Sequence, residues 1–561
     1  MGQKETRRSP RIVRTWVKNA SLGSALILII LPTVALAQRA GQPKNVTVTG
    51  SYGHHPVVTK SKQAQQLFDR GLGLIYALDY REAAKSFHAA AGLDPTMAMA
   101  YWGIAYALGS DYYYHAPGDP ARERDAFEAV QRGLALSATG PQVERGYLTA
   151  LSKRYCNCPI PDREKLAVEF KDAMRELAQR YPDDLDAATL YAQSIMNLSP
   201  WDLWSPNGTP WEGTPEILSV LESVLKRNPR HLGAIHFYIH AVEASPDPQR
   251  ALAYANALPS LAPPIGHLAH MPAHIYIHTG DYQAAEDACV NAARMDENHL
   301  QNSPDMFTVL SFLHDLYFLA AAASMDGHYL SAKEASNQLA DRVSPHLKGM
   351  PDLQAFLAVQ PAVLVRFHRW EEILKLPQPD ANLKIANTMW RFARGMALAA
   401  TGKALEAEAE QRFVSEILES TEPSEVFGMS ATNKTRDILK IAVDVLSAKL
   451  SAARHDRSQA IAQLRDAVAV QDALKYSEPP SWFYPVRESL GAALFEDGQI
   501  LQAEHVFRDD LQRNPRNPRS LFGLLQVLRS AGRSDDARFV QTQLETAWKS
   551  DLQQLDLKNF D

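Results

Sequence analysis

The feature that most constrains the fold is a short pattern that returns along most of the chain. Residues 78–95 (LDYREAAKSFHAAAGLDP) and 279–296 (TGDYQAAEDACVNAARMD) share a turn, a following Ala and apolar residues at helical spacing. The same form returns at residues 326–339, 401–410, 497–515 and 531–540. Another amphipathic stretch, such as residues 64–77, precedes each turn. The repeating unit is therefore predicted to be a pair of helices.

Paired helices at a spacing of 34 residues, with small residues where the helices meet, resemble the tetratricopeptide repeat (TPR). The resemblance extends over nearly all of residues 60–548, in roughly ten to twelve degenerate helix pairs. It implies an all-α solenoid, a right-handed superhelix whose neighbouring pairs bury a continuous core and leave a concave groove. The stretches HFYIHAVEASPDPQRAL and GHLAHMPAHIYIHTGDY are also similar to a group of exported bacterial TPR proteins without a settled biochemical role.

The first residues predict an export signal. Basic residues precede a short apolar run that ends in Ala35-Leu36-Ala37, the form of a secretory signal cleaved after Ala37. A retained membrane anchor is the lesser alternative, because the run is shorter than the roughly 20 residues of a membrane span. We therefore expect a periplasmic or extracellular protein with no later membrane span. Loss of residues 1–37, with six basic groups and one acid, changes the formal charge from −6 to −11, which argues against nucleic acid as a partner.

The chain is predicted to divide into five segments. These are a signal peptide (1–37), a flexible N-terminal segment (38–60), a first TPR array with a histidine-lined groove (61–345), a second TPR array (346–549) and a tail (550–561). Two turns between helices, residues 110–120 and 199–215, are unusually long, and the second contains Trp201, Trp204 and Trp211. Such aromatic loops either bind a partner or plug an irregular repeat junction, and both alternatives stay open.

The chain has three cysteines. Cys156 and Cys158 form a C-x-C sequence beside two prolines. There are three alternatives for this pair: a local disulfide, a contact with a soft metal, or two loop thiols without a special role. We favour the loop thiols. Cys289 occupies an apolar place of its helix and is predicted to pack in the core.

Histidines concentrate in one part of the repeat array. Seven of the eighteen histidines lie between residues 231 and 278. His236 and His240 return 34 residues later as His270 and His274, so the two pairs take equivalent places on adjacent first helices. Side chains four residues apart share one face of a helix, because each residue turns the helix by about 100°. The sequence thus predicts two polar stripes on neighbouring helices.

The TPR resemblance implies that these stripes face the groove, since places 2, 5, 9, 12 and 13 of a TPR first helix line it. Counted in this frame, the residues on groove places are His236 and His270 (place 5), His240 and His274 (place 9), Glu243 (place 12), His267 (place 2), His278 (place 13) and His314 (place 2 of the next repeat). Trp102 and Tyr106 take places 5 and 9 of an earlier repeat. There they either hold a partner peptide or shield the groove floor.

Neutral imidazole is the commonest metal ligand in proteins. Adjacent helices lie about 8–10 Å apart, so the two stripes can converge on one ion of Zn, Cu, Ni or Fe. The predicted ligands are His236, His240, His270 and His274, with Glu243 or His267 as a fifth ligand, a base or an outer partner. Because crowded imidazoles repel one another when protonated, we expect neutral rings at physiological pH and loss of metal in acid. Pro272 is expected to kink the second helix or to displace its start.

Two functions remain open at this point. One is a scaffold that binds a peptide, a protein or a small ligand in its groove, and the other is a metal-binding protein or metal-dependent enzyme with the ion between helices 236–243 and 267–278. A purely architectural rod is a third possibility. The chain has no H-E-x-x-H, G-x-S-x-G or phosphate-loop motif, so the sequence does not decide whether the protein is an enzyme.

Overall fold

The computed structural model of the protein describes residues 52–109, 119–158, 161–302, 305–428, 432–548 and 555–560. These residues form 24 α-helices and several short 3₁₀ helices, and strand pairing within them is limited to two isolated bridges. The predicted all-α, TPR-type helix-pair solenoid is confirmed. The predicted signal peptide and residues 110–118 of the first long loop lie outside the described residues.

The first half of the array is a succession of twelve helices, most of them joined by short turns. Its helices are α1 (Lys62–Tyr76), α2 (Tyr80–Leu93), α3 (Ala98–Leu108), α4 (Pro120–Leu136), α5 (Gln142–Ser152), α6 (Arg163–Arg180), α7 (Leu185–Met196), α8 (Thr214–Arg227), α9 (Leu232–Val242), α10 (Leu252–Leu261), α11 (Gly266–Thr279) and α12 (Tyr282–Asn302). Short 3₁₀ helices span Ser137–Thr139 and Pro248–Ala251. Consecutive helices pack against one another, and first helices such as α9 and α11 also touch.

The second half continues the same arrangement. Its helices are α13 (Met306–Asp326), α14 (Tyr329–Val343), α15 (Val359–Arg366), α16 (Trp370–Lys375), α17 (Lys384–Ala400), α18 (Ala404–Ser420), α19 (Thr435–Ala453), α20 (Arg457–Ala473), α21 (Val486–Glu496), α22 (Ile500–Arg513), α23 (Pro518–Ser530) and α24 (Ser534–Ala547). Further 3₁₀ helices span Ser344–His346, Pro351–Ala358 and Leu557–Asn559.

Aspartates in the turns start several of these helices. The Asp79 carboxylate accepts the Glu82 N–H at the start of α2 (3.1 Å), and Asp184 does the same for Ala187 at α7 (3.0 Å). A carboxylate at this position satisfies a backbone donor that has no partner within the helix. The small polar residues of the sequence pattern therefore act as helix N-caps.

Glycines on the first helices let a phenylalanine of the second helix reach the inter-repeat core. A Cβ atom built on Gly71 or Gly103 would lie 2.6 or 2.3 Å from the ring of Phe87. A late repeat shows the same arrangement around Phe507. A Cβ atom built on Gly491 or Gly523 would lie 2.6 or 2.3 Å from the ring of Phe507. No side chain fits in such a space, so glycine at these places sets how closely the helices stack.

Late helices pack back onto the middle of the array. The Tyr282 hydroxyl at the start of α12 donates to the Pro515 carbonyl (2.9 Å), and Tyr317 on α13 donates to the Pro480 carbonyl (2.9 Å). Arg366 and Glu488 form a buried ion pair between α15 and α21 (3.1 Å). The Tyr317 contact holds residues 474–485, the segment between α20 and α21, against α13. The other two contacts attach the turn after α22 to α12 and α21 to α15.

Helix α13 bears on the expectation that no membrane span follows the export signal. By length and composition alone it could cross a membrane, because it has 21 residues and a mean hydropathy of 1.5. However, 61% of that apolar stretch is buried inside the fold, against α12 and α14 among others. We therefore interpret α13 as a core helix.

Two local predictions also change. Cys156 and Cys158 are joined in a disulfide, with their Cα atoms 5.3 Å apart, so the preference for two free loop thiols is wrong. Helix α11 continues through Pro272 from Gly266 to Thr279, so this proline does not displace the helix start. Proline removes one backbone hydrogen bond, and only the first turn and a half of α11 precedes it. Cys289 is fully buried in the core, as expected.

Substitution of Gly103 by leucine should destabilise the protein by about 1–3 kcal/mol or more, because the new side chain would overlap the ring of Phe87. Thermal unfolding followed by circular dichroism measures the effect. The matched control is Gly92→Ala on the exposed face of α2, where a Cβ meets no atom within 4 Å. It should raise stability by about 0.5–1 kcal/mol. Equal melting temperatures for wild type and Gly103→Leu would contradict this packing.

Candidate metal centre

Six histidines from three successive first helices meet inside the fold. We call them the histidine cluster, and they are His236 and His240 on α9, His267, His270 and His274 on α11, and His314 on α13. The ring centroids of His240 and His274, on neighbouring helices, lie 5.4 Å apart. Those of His270 and His314 lie 4.7 Å apart. Stacking of the repeats thus brings the two sequence stripes, and a third helix, to one place.

The cluster consists of two sets of three rings. The first triad is His236, His240 and His267, and the second triad is His270, His274 and His314. Within each triad, one ring nitrogen from each residue lies within 4.8 Å of the other two. The closest pairs are Nε2 of His236 with Nε2 of His267 (3.1 Å) and Nε2 of His270 with Nε2 of His314 (3.0 Å).

The other ring nitrogen, Nδ1, is held by an outer partner in four of the six rings. His236 Nδ1 faces the Tyr76 carbonyl oxygen, and His270 Nδ1 faces Asp315 Oδ1 at 3.2 Å. His240 Nδ1 and His274 Nδ1 both face carboxylates, described below. Fixing Nδ1 in this way orients the ring and leaves Nε2 for a ligand, which is the usual surrounding of a metal-binding histidine.

Two glutamates lie where the triads meet. One carboxylate, that of Glu243, contacts both triads, with Oε1 3.0 Å from His240 Nδ1 and Oε2 2.9 Å from His274 Nδ1. Glu478, from the segment between α20 and α21, also contacts His274 Nδ1 and accepts a hydrogen bond from the Tyr476 hydroxyl (2.7 Å). The glutamates supply the negative charge that bound cations would need nearby.

Five of the six cluster histidines are buried, and His314 is half-buried. The side chains of His240, His270 and His274 are 0% exposed. The indole of Trp201 stands edge-on to His240 at 5.5 Å, and the long loop that carries it is tied to the C-terminal segment by an ion pair between Asp202 and Lys475 (2.9 Å). The face predicted as an open groove is therefore covered at this point by two loops.

Burial makes five rings poor bases. Desolvation and the neighbouring imidazoles lower the pKa of His236, His267 and His270 well below the usual value. Burial likewise lowers the pKa of His240 to about 3 and of His314 to about 4. These rings are neutral at physiological pH, as the sequence predicted, and a neutral ring is the form that binds a metal ion.

His274 departs from that prediction. Burial alone would lower its pKa, but the adjacent carboxylates of Glu478 and Glu243 raise it to about 10. Without metal, His274 is therefore a cation between two carboxylates. A metal ion at Nε2 would displace the proton from that atom and supply positive charge in its place, while Nδ1–H would keep its hydrogen bond to a carboxylate.

The donor set fits a transition metal ion. Two nitrogen ligands about 2.0–2.1 Å from a tetrahedral ion lie about 3.3 Å apart, close to the 3.0 and 3.1 Å separations of the paired Nε2 atoms. His274 Nε2 and Glu478 Oε1 are buried without a hydrogen-bond partner among the described residues. Buried polar atoms normally have one, so both atoms are available to a ligand.

The other predicted residues lie outside the cluster. Trp102 and Tyr106 are buried in the core beside Phe68, Phe87 and Tyr147, so they present no surface to a partner. Trp204 donates to the Ala241 carbonyl of α9 (2.8 Å), and Trp211, on the same loop, donates to Asp202 (3.0 Å). His278 is half-buried, with its ring 5.7 Å from Tyr476.

Sequence reasoning missed several members of the site. Asp315 follows His314 directly in the chain, but nothing in the pattern shows that it faces His270. Glu478 lies in the aromatic run 478–494 (EPPSWFYPVRESLGAAL), more than 200 residues from its partner His274. A contact between distant repeats depends on the curvature of the whole array, which local periodicity does not contain.

No family model and no curated protein matches this chain. Solved structures to which this chain is similar include the human IFIT1 dimer with m7Gppp-AAAA, at 13% sequence identity and a TM-score of 0.31, with 88% of this chain and 91% of that chain covered. Yeast Tom70 is 12% identical, with 88% of this chain and 93% of that chain covered and a TM-score of 0.28. The APC/C hetero-tetramer Cut9-Hcn1 is 11% identical, with 88% of this chain and 75% of that chain covered and a TM-score of 0.29. Similarity at this level does not bear on function.

In the presence of a chelator, acid should destabilise the protein through these neutral rings. Below pH 6.5 a histidine in the unfolded chain takes up a proton that a buried neutral ring does not. Each such ring therefore lowers the free energy of unfolding by about 1.4 kcal/mol for every pH unit of acidification. His270→Asn removes one such ring. Between pH 6.5 and 5, the free energy of unfolding of this variant should therefore fall less steeply than that of wild type, by about 1.4 kcal/mol per pH unit. Thermal or urea unfolding at several pH values measures it.

The matched control for this experiment is His505→Asn, since the His505 side chain is 77% exposed. It should leave the pH dependence unchanged. If His270→Asn has the same slope as wild type, His270 is not held neutral in the fold.

Proposed function

We propose that this protein binds transition metal ions at the histidine cluster. The observation that carries the proposal is the combination of two triads, in which five of the six rings are buried, with outer partners on Nδ1 of four rings. Imidazole ligands of this kind suit Zn, Cu, Ni or Fe, and the solenoid supplies a rigid frame around them.

The covered position of the cluster favours metal over a peptide. A peptide-binding groove needs side chains that solvent and partner can reach, whereas His236 and His270 are 0% exposed. Burying six imidazoles in contact costs free energy, since each loses its hydration and protonated neighbours repel. A coordinated ion offsets that cost. Other surfaces of the array remain available for a partner protein.

We also propose that the protein is exported, chiefly on the evidence of its first residues. The support is the basic start, the short apolar run and Ala35-Leu36-Ala37. The disulfide between Cys156 and Cys158 suits an oxidising compartment. Mass spectrometry of the N-terminus of protein recovered from periplasm or medium tests it, and a chain that begins at Gln38 is the expected result. Uncleaved protein in the cytoplasm would contradict this.

Protein purified without a histidine tag should carry bound transition metal, measurable by inductively coupled plasma mass spectrometry. His240→Ala and His274→Ala remove one ring from each triad, so both should lower the metal content. Removal of the metal should also lower the melting temperature of wild type, because a ligand that binds only the folded state stabilises it.

The control is His505→Ala on the exposed face of α22, which should keep the metal content of wild type. Circular dichroism shows whether each variant is folded. Wild-type protein that takes up no Zn, Cu, Ni or Fe, either as purified or after incubation with the salts, would contradict the proposed function.

A further inference from the structure

Building on the proposed function, we propose that the cluster holds two metal ions, one in each triad, joined by the carboxylate of Glu243. The sequence pattern points to a single ion between two histidine pairs. The structure instead divides six rings into two sets, each with three ring nitrogens within 4.8 Å of one another.

The ligand count supports two ions. A protein-bound transition ion of the zinc type usually takes four ligands. Six imidazoles exceed what one such ion uses, whereas three per ion match the set of three protein ligands that leaves one position open. The two shortest contacts between ring nitrogens, 3.1 Å in the first triad and 3.0 Å in the second, occur within the triads.

The rings extend along the stacked helices. From His236 the ring centroids step 4.9 Å to His240, then 5.4 Å to His274 and 4.6 Å to His270. His314 on α13 adds a further step of 4.7 Å from His270. Such a row, carried by α9, α11 and α13, offers neighbouring sites along its length.

Glu243 links the two sites. Its two oxygens each contact one ring, His240 of the first triad at 3.0 Å and His274 of the second at 2.9 Å. A carboxylate hydrogen-bonded to a ligating imidazole raises the basicity of that ligand. One residue therefore supports an ion in each triad, and Glu478, on the second triad, adds another negative charge to balance two dications.

Loading with Cu²⁺ tests the number of ions directly. Stripped wild-type protein is incubated with excess Cu²⁺, freed of unbound ion by gel filtration and measured for copper per chain. The expected value is two. His267→Gln and His314→Gln, one for each triad, should each hold one ion, and His505→Gln should hold two. Circular dichroism shows that each chain is folded, and the wild-type count stands even if a variant unfolds.

Electron paramagnetic resonance gives an independent readout. Two neighbouring Cu²⁺ ions couple, so wild type should show a weaker or broadened signal per copper than either single-triad variant. One ion per chain in wild type, lost in both variants, would overturn the two-ion proposal and leave the proposed function standing. Two ions that neither variant removes would overturn the assignment to the triads. No bound ion in wild type would overturn both proposals.

Discussion

The close stacking of successive helix pairs is the constraint on which the rest of the structure depends. Glycines such as Gly103 and Gly523 admit the rings of Phe87 and Phe507, which fixes the separation and register of neighbouring repeats. Because the register is kept from α9 to α13, histidines on one face of three first helices come to lie side by side, His240 with His274 and His270 with His314. A shift of one residue in one helix would turn its histidines about 100° away from their neighbours.

A polar cluster in this position has a cost that packing alone does not repay. Loss of hydration on burial, reinforced by the neighbouring imidazoles, keeps most of these rings neutral, as the lowered pKa values of His236 and His267 show. The carboxylates compensate only in part, since Glu243 and Glu478 act mainly on His274. Under the proposed function, metal coordination would supply the missing favourable interaction, and it requires the neutral form that burial already enforces. The same environment would thus destabilise the metal-free protein and favour the binding of an ion.

Periodicity was sufficient to predict the helix-pair architecture and the phase of the histidines on their helices. Local patterns carry this information because each helix pair repeats the same contacts. They do not carry contacts between distant repeats, so Glu478 and the closing loop segments were missed and the patch was expected to be an open groove. His314 was placed on the right face but not assigned as a ligand, and Trp102 was expected near the groove although it packs in the core.

Anomalous diffraction from crystals of the metal-loaded protein tests the central claim most directly, because it locates ions without reference to any variant. Data collected on both sides of the absorption edge should show two peaks inside the cluster, each about 2 Å from the imidazole nitrogens of one triad. Rings of α9, α11 and α13 that point away from a common interior, or anomalous peaks confined to surface sites, would contradict the account.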